Sequence, residues 1–252
     1  MPDIIQFGPF MIRYDWIVFA LSMTIGYTIM RWNWKRSTWN DLPIIEPLMN
    51  AVLMILFVWK LGPIISNPSL LLTNPMIWMM FPGSNLGFQL GVFLAGIYLY
   101  LQWKKIRAPW WFVGDLMALG SIAAIFTYNL LSWKYGSLTS LPWGISIEHI
   151  KYKYHPVNVY RLLVTIPMFI WFWKNSRLLG EGKWLLNTLI YYEMGLVIVS
   201  MFSNKTNYVF GLSAEQIIYL LGMILGVYLS TFSKTNSENT NPVTTDSQEG
   251  DS

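Results

Sequence analysis

WWFVGDLMALGSIAAIFTYNLLSW, residues 110–133, carries a single charge, Asp115, in an otherwise membrane-compatible run. A helix crossing the hydrocarbon of a bilayer needs roughly 20 mostly apolar residues. This run meets that length, and six further segments do so on either side of it. They lie at about 14–32, 46–66 and 86–103 before it, and at about 157–173, 184–203 and 213–232 after it. The expected fold is therefore an all-α integral membrane protein with seven transmembrane helices. Composition agrees: of the 252 residues, 54% are hydrophobic and only 12% charged. Soluble domains carry about 25% charged residues. Fourteen Trp and fourteen Tyr also suit a bilayer, because their amphipathic rings favour the headgroup level.

The second segment is interrupted by Lys60, Gly62 and Pro63, and the fifth contains Pro167, where a kink is expected unless a neighbour satisfies the freed carbonyl. The N-terminal residues MPDIIQFGPFMIRYD have no basic stretch and no small-residue cleavage site, so the first segment is expected to be a retained helix. The tail from Ser233 to Ser252 is rich in Ser, Thr and Asn and reads as a disordered cytoplasmic extension. One domain, residues 1–232, is expected to hold all seven helices. It includes a small extracytoplasmic loop domain at 134–156, between helices four and five.

Orientation follows from the placement of Lys and Arg, which favour cytoplasmic loops. Arg31, Lys35 and Arg36 follow helix one; Lys104, Lys105 and Arg107 follow helix three. Lys174, Arg177 and Lys183 follow helix five, and Lys234 follows helix seven. Residues 67–85 have no cation, and the connection after helix six has only Lys205. The 134–156 loop breaks the alternation with Lys134, Lys151 and Lys153, as a structured external loop can. The N-terminus is expected outside and the C-terminus inside. The cations are scattered between apolar runs, which excludes a nucleic-acid surface.

Charges inside a bilayer need a partner or a polar cavity. Glu193 in helix six and Lys60 in helix two fall at similar depths, which makes them a candidate pair. Arg13 and Asp15 group at the outer end of helix one, whereas Asp115 lies near the inner interface, where a structural role is favoured. An outward-facing polar cavity is expected among helices one, two and six, roofed by residues 134–156 and lined by Arg13, Lys60, Arg161 and Glu193. His149 and His155 do not have zinc-ligand spacing, and the chain contains no cysteine. No metal or other cofactor is expected. His155 precedes Pro156, which marks the start of helix five. Gly87/Gly91 and Gly222/Gly226 are GxxxG pairs, which let helix backbones approach closely. Packing within the chain is the favoured reading of both.

The loop after helix four, YGSLTSLPWG at 135–144, followed by HPVNVYR at 155–161, resembles the motifs YGRPTDLPWG and HPSQLYE of bacterial prolipoprotein diacylglyceryl transferases. Residues 77–87, IWMMFPGSNLG, are similar to IWxGGLSFHGGLLG, and the opening FGPFMIRYDWIVFALSMTIG is similar to the family's IGP…RWYGLMYLIGF. GLSAEQIIYLLGMILG at 211–226 resembles GLTMGQLLSLPMILLG and places Gln216 on the family's Gln. The resemblance implies a multi-pass bacterial plasma-membrane protein with seven helices. It implies transfer of a diacylglyceryl group from phosphatidylglycerol to a lipoprotein-precursor cysteine. That reaction calls for positive charge on a departing phosphate and a group to generate the thiolate.

Carried over residue by residue, that equipment is missing. The histidine of FHGG falls on Pro82 and the tyrosine of RWYG on Asp15. The Arg, Glu and Arg of YGxxRxxxExxR fall on Leu196, Ser200 and Ser203, and the acid after HPSQLY is Arg161. From 108 to 147 the only charges are Asp115 and Lys134, so no Arg or Glu of GRIGNFxNGE is matched. The reading adopted is a diverged, non-enzymatic member that binds membrane phospholipid or lipoprotein precursors. Candidate contacts are Arg13, Asp15, Lys60, Trp143, His155, Tyr160, Arg161, Glu193 and Gln216. Alternatives are an active transferase with relocated groups and, from another class, a small-molecule transporter. The transporter would call for inverted repeats and matched broken helices, and neither is visible.

Overall fold

The computed structural model describes residues 4–7, 10–69, 83–146, 152–175, 178–204, 208–209 and 211–239. Most of them are helical. In chain order the helices are α1 (Tyr14–Lys35), α2 (Ile45–Ser66), α3 (Asn85–Ile106), α4 (Trp110–Leu131), α5 (Val157–Lys174), α6 (Lys183–Asn187), α7 (Glu193–Ser200) and α8 (Ala214–Asn239). A π-helical stretch, Thr188–Tyr192, joins α6 to α7. Four helices among the described residues are long and apolar enough to cross a membrane: α2, α3, α4 and the Ala214–Thr231 part of α8. Of these α4 is by far the most buried.

The all-α expectation needs one correction. Three small antiparallel sheets accompany the helices: β1 (Ile4–Phe7) with β2 (Phe10–Arg13); β3 (Tyr135–Thr139), β4 (Ile145–Ser146) and β5 (Lys153–Pro156) in the order β3-β5-β4; and β6 (Tyr208–Val209) with β7 (Leu212–Ser213). Backbone N–H and C=O groups that leave a helix must find other partners, and these connections find them in each other. The end of α8 is a second difference. No Gly or Pro stops the helix at residue 232, and it continues to Asn239; residues 240–252 of the expected tail lie outside the described residues. Helix α5 runs through Pro167 without ending.

The chain divides into two compact units, residues 31–113 and residues 1–30 with 114–252. In the first, α2 and α3 pair closely because their facing residues are small. Gly62, Gly87, Gly91 and Ala95 are buried at the seam. A Cβ on Gly87 would lie 2.7 Å from the carbonyl oxygen of Val58, and one on Gly91 would lie 3.0 Å from that of Ile55. The Gly87/Gly91 pattern is thus consumed by packing within the chain. Ser84 caps α3, its Oγ accepting from the N–H of Gly87 at 3.0 Å.

In the second unit, Leu119 and Ile122 of α4 form a core with Met168, Phe172, Trp184, Tyr192 and Leu196. Trp184 stacks on Phe172 with ring centroids 4.8 Å apart. α1 lies against α4 through glycine: a Cβ on Gly26 would meet the Gly120 carbonyl oxygen at 2.6 Å. Asp115, fully buried in α4, accepts from the N–H groups of Gly180 (2.8 Å), Gly182 (2.9 Å) and Leu185 (2.9 Å). It thereby caps the loop and helix start that precede Glu193.

Candidate functional site

The loop that carries the sequence signature is built around two close approaches. Leu141-Pro142-Trp143-Gly144 is a tight turn, closed by the Gly144 N–H donating to the Leu141 carbonyl at 3.1 Å. Proline suits the second position of such a turn because its φ is preset. A Cβ on Gly144 would sit 2.7 Å from Thr139 and 2.8 Å from Lys153, so the turn tucks against the sheet only with glycine there. At Gly136 the carbonyl oxygen of Phe202 comes so near that no Cβ fits, and the Ser137 N–H donates to that oxygen at 2.9 Å. The sheet is thereby fastened to the end of α7.

This folding places three of the expected residues together. The Trp143 indole N–H donates to the Tyr160 hydroxyl at 3.0 Å, and the same hydroxyl lies 3.0 Å from His155 Nδ1. Phe202, not anticipated from the sequence, closes the group. Its ring centroid is 4.9 Å from that of His155 and 5.4 Å from that of Tyr160. His155, read from sequence as part of an irregular loop, lies in strand β5 and is buried. The rings of Tyr160 and Phe202 pack against it.

Arg161, one residue further along α5, turns to α8. Its Nη2 lies 3.3 Å from Glu215 Oε2, with the Arg side chain largely buried and the Glu side chain half exposed. Glu215 sits in the first turn of α8, where a negative charge suits the helix dipole. Gln216 forms a reciprocal cap with Ser213: the Ser213 N–H donates to Gln216 Oε1 at 3.0 Å, and the Gln216 N–H donates to Ser213 Oγ at 3.3 Å. The S-x-x-Q spacing ahead of an apolar run is the local signal of that cap. Gln216 therefore has a structural role in the helix start.

Glu193 follows the π-helical stretch directly. Its Cγ and Cδ rest where a Cβ on Gly222 of α8 would come within 3.3 and 3.4 Å, and its Oε2 is sealed without a hydrogen-bond partner among the described residues. Gly226, the other half of that GxxxG pair, faces Leu189 and Ile190. Thr165 Oγ1 lies 3.5 Å from the Tyr192 hydroxyl, between α5 and the π-helical stretch. Arg13 pairs through its backbone with Ile4 in the first hairpin, and its side chain lies outside the described residues. Asp15 lies in the first turn of α1. Lys60 belongs to the other unit, and its expected pairing with Glu193 stays a reading of the sequence. Pro82 and His149 lie outside the described residues. No group of three or more His, Cys, Asp or Glu side chains able to hold a metal occurs among the described residues.

The positions aligned with the family's charged helix are filled by packing. Leu196 is part of the hydrophobic core, Ser200 is buried and donates to the Val197 carbonyl at 2.6 Å, and Ser203 Oγ is sealed without a partner among the described residues.

Four apolar helices of membrane-spanning length among the described residues, accompanied by small sheets, define a helical integral membrane protein. The chain belongs to the prolipoprotein diacylglyceryl transferase family, whose profile matches residues 2–232. It is 27% identical over 250 residues to a phosphatidylglycerol–prolipoprotein diacylglyceryl transferase of Clostridioides difficile, covering 93% of this chain and 98% of that protein. Proteins of the same name from Thermus thermophilus and Bifidobacterium adolescentis are 26% and 28% identical. Those two matches cover 56% and 58% of this chain, and 53% and 46% of the relatives.

Proposed function

We propose that this chain is a diverged member of its family that keeps the lipid-facing scaffold and binds phospholipid or lipoprotein signal segments without transferring diacylglyceryl groups. The observation that supports this reading is Leu196. At the position that the resemblance aligns with an arginine of the family motif stands a leucine that belongs to one buried cluster with Leu119, Ile122, Met168, Phe172, Trp184 and Tyr192. A cation introduced there would be buried among apolar side chains at a cost of several kcal/mol, which supports a packing role for this position. Phosphate leaving groups depend on fixed positive charge, and loss of one such stabilising donor typically costs about 10²- to 10³-fold in rate. The proposed ligand contacts are Trp143, His155, Tyr160 and Arg161, which lie on the signature loop and the start of α5. The proposed topology is seven spans, with the N-terminus outside and that loop at the outer face of the bacterial plasma membrane.

The alternative, a transferase with relocated groups, draws on one feature, the sealed carboxyl oxygen of Glu193. Complementation separates the two. A host's authentic transferase is depleted while this chain is expressed and located in the membrane fraction. Failure to grow is the expected result. Growth with thioether-linked diacylglycerol on a reporter lipoprotein overturns the proposal.

A further inference from the structure

Where α2 begins and α3 ends, the chain leaves an open cleft of about 250 Å³ in all. Ile44 and Leu48 line it on one side, and Leu99, Trp103, Ile106 and Ala108 on the other. All of its lining residues belong to one compact unit, residues 31–113. Among them only Gln102 and Trp103 carry a polar side-chain group, and the Trp103 indole N–H already donates to the Ala108 carbonyl at 3.2 Å. Pockets that enclose drug-sized molecules run to roughly 300–1,000 Å³. This cleft is smaller and almost wholly apolar, which suits a stretch of hydrocarbon chain.

One end of the cleft is cationic. Lys104, Lys105 and Arg107 interleave along the chain with the lining residues Trp103, Ile106 and Ala108, and all three cations are exposed. Lys104 Nζ lies over the Tyr100 ring at 4.9 Å. Neither Lys105 nor Arg107 makes an ion pair among the described residues. Arg107 also ends α3 with φ at 53°, its N–H donating to the Trp103 carbonyl at 2.9 Å. Glycine is the usual residue in that conformation, so the turn by itself does not ask for arginine. Residues 31–113 further hold Arg31, Lys35 and Arg36 near the same helix ends, with Asp41 and Glu46 as their only acids.

A helix as long as α3, 22 residues, spans about 33 Å, close to the roughly 30 Å of bilayer hydrocarbon. The cations at its end therefore stand at the level of lipid phosphates. Exposed Trp39 and Trp110, before α2 and at the start of α4, suit the same level. Basic pockets between spanning helices recognise anionic headgroups in this way. We propose that the cleft binds one anionic phospholipid, with an acyl chain between α2 and α3 and the phosphate against Lys105 and Arg107. The site shares no residue with the signature loop and does not rest on the function proposed above.

The test uses the full chain in maltoside micelles and phosphatidylglycerol carrying a diazirine on one acyl chain, added below stoichiometry. After illumination the labelled peptides are mapped by mass spectrometry. Label is expected on residues 99–113, displaced by unlabelled phosphatidylglycerol but not by phosphatidylcholine of the same chains or by inorganic phosphate. Lys105→Gln combined with Arg107→Gly should weaken binding there about 25-fold, at about fivefold for each cation beside a headgroup. Glycine suits the turn, so the melting temperature of this variant should match or exceed the parent's. Ala108→Leu, which fills the cleft and keeps both cations, should also remove the label. Equal displacement by phosphatidylcholine, or label unchanged in the double variant, reduces the cleft to a general lipid contact and overturns the proposal. Displacement by inorganic phosphate overturns the acyl-chain assignment. Because the label is read at residues 99–113, the lipid-binding reading of Trp143 and Arg161 stands or falls separately.

Discussion

Asp115 shows how a single side chain can organise its surroundings. Its carboxylate gathers three N–H groups from residues 180–185, a segment far away in sequence. Sequence placed it near an interface and favoured a structural role, but no local pattern could name Gly180, Gly182 and Leu185 as partners. A buried N–H left without an acceptor costs about 1–3 kcal/mol. Asp115→Ala should therefore lower stability by about 3 kcal/mol or more, read as thermal unfolding in detergent. Asp115→Asn should cost less, since it keeps one acceptor oxygen. Equal stability of Asp115→Ala and the parent would show that the loop finds other acceptors.

At the scale of elements, glycine does most of the joining, but not every glycine is equivalent. In α3, Gly87 faces backbone atoms of α2, with the Val58 oxygen and the Gly62 Cα at 2.7 and 2.8 Å from a would-be Cβ. Gly96 of the same helix has nothing within 4 Å. Overpacking a tight contact costs about 1–3 kcal/mol, whereas an exposed helical Gly→Ala exchange gains up to about 1 kcal/mol from propensity. Gly87→Ala should thus lower the detergent melting temperature and Gly96→Ala should hold or raise it. If both moved together, the α2–α3 seam would not be the cause. The same distinction explains the spacing patterns: GxxxG marked where helices could approach, and only the fold identified the partners.

For the whole molecule, the distribution of cations argues for an N-terminus outside, with Arg31, Lys35 and Arg36 on the inner side. Cysteines placed at Ser69 and Ser146 should react with an impermeant thiol reagent added to intact cells, and one at Ser37 should not. Labelling of Ser37 would reverse the orientation. The Cys-free sequence makes each introduced thiol the sole target.

Membrane class, family and a mostly helical fold were legible in the sequence, because the bilayer imposes a length and a polarity that any spanning segment must meet one residue at a time; the expected single helix at 184–203 is instead two short α-helices joined by a π-helical stretch. That Leu196, Ser200 and Ser203 carry no charge was legible as well, since residue identity needs no coordinates. The small sheets, the bond from Trp143 through Tyr160 to His155, the closing ring of Phe202 and the capping task of Gln216 came only with the tertiary structure. Each depends on hydrogen-bond geometry or ring contacts that spacing along the chain does not fix. The burial of Leu196 likewise depends on side chains contributed by other helices of the core.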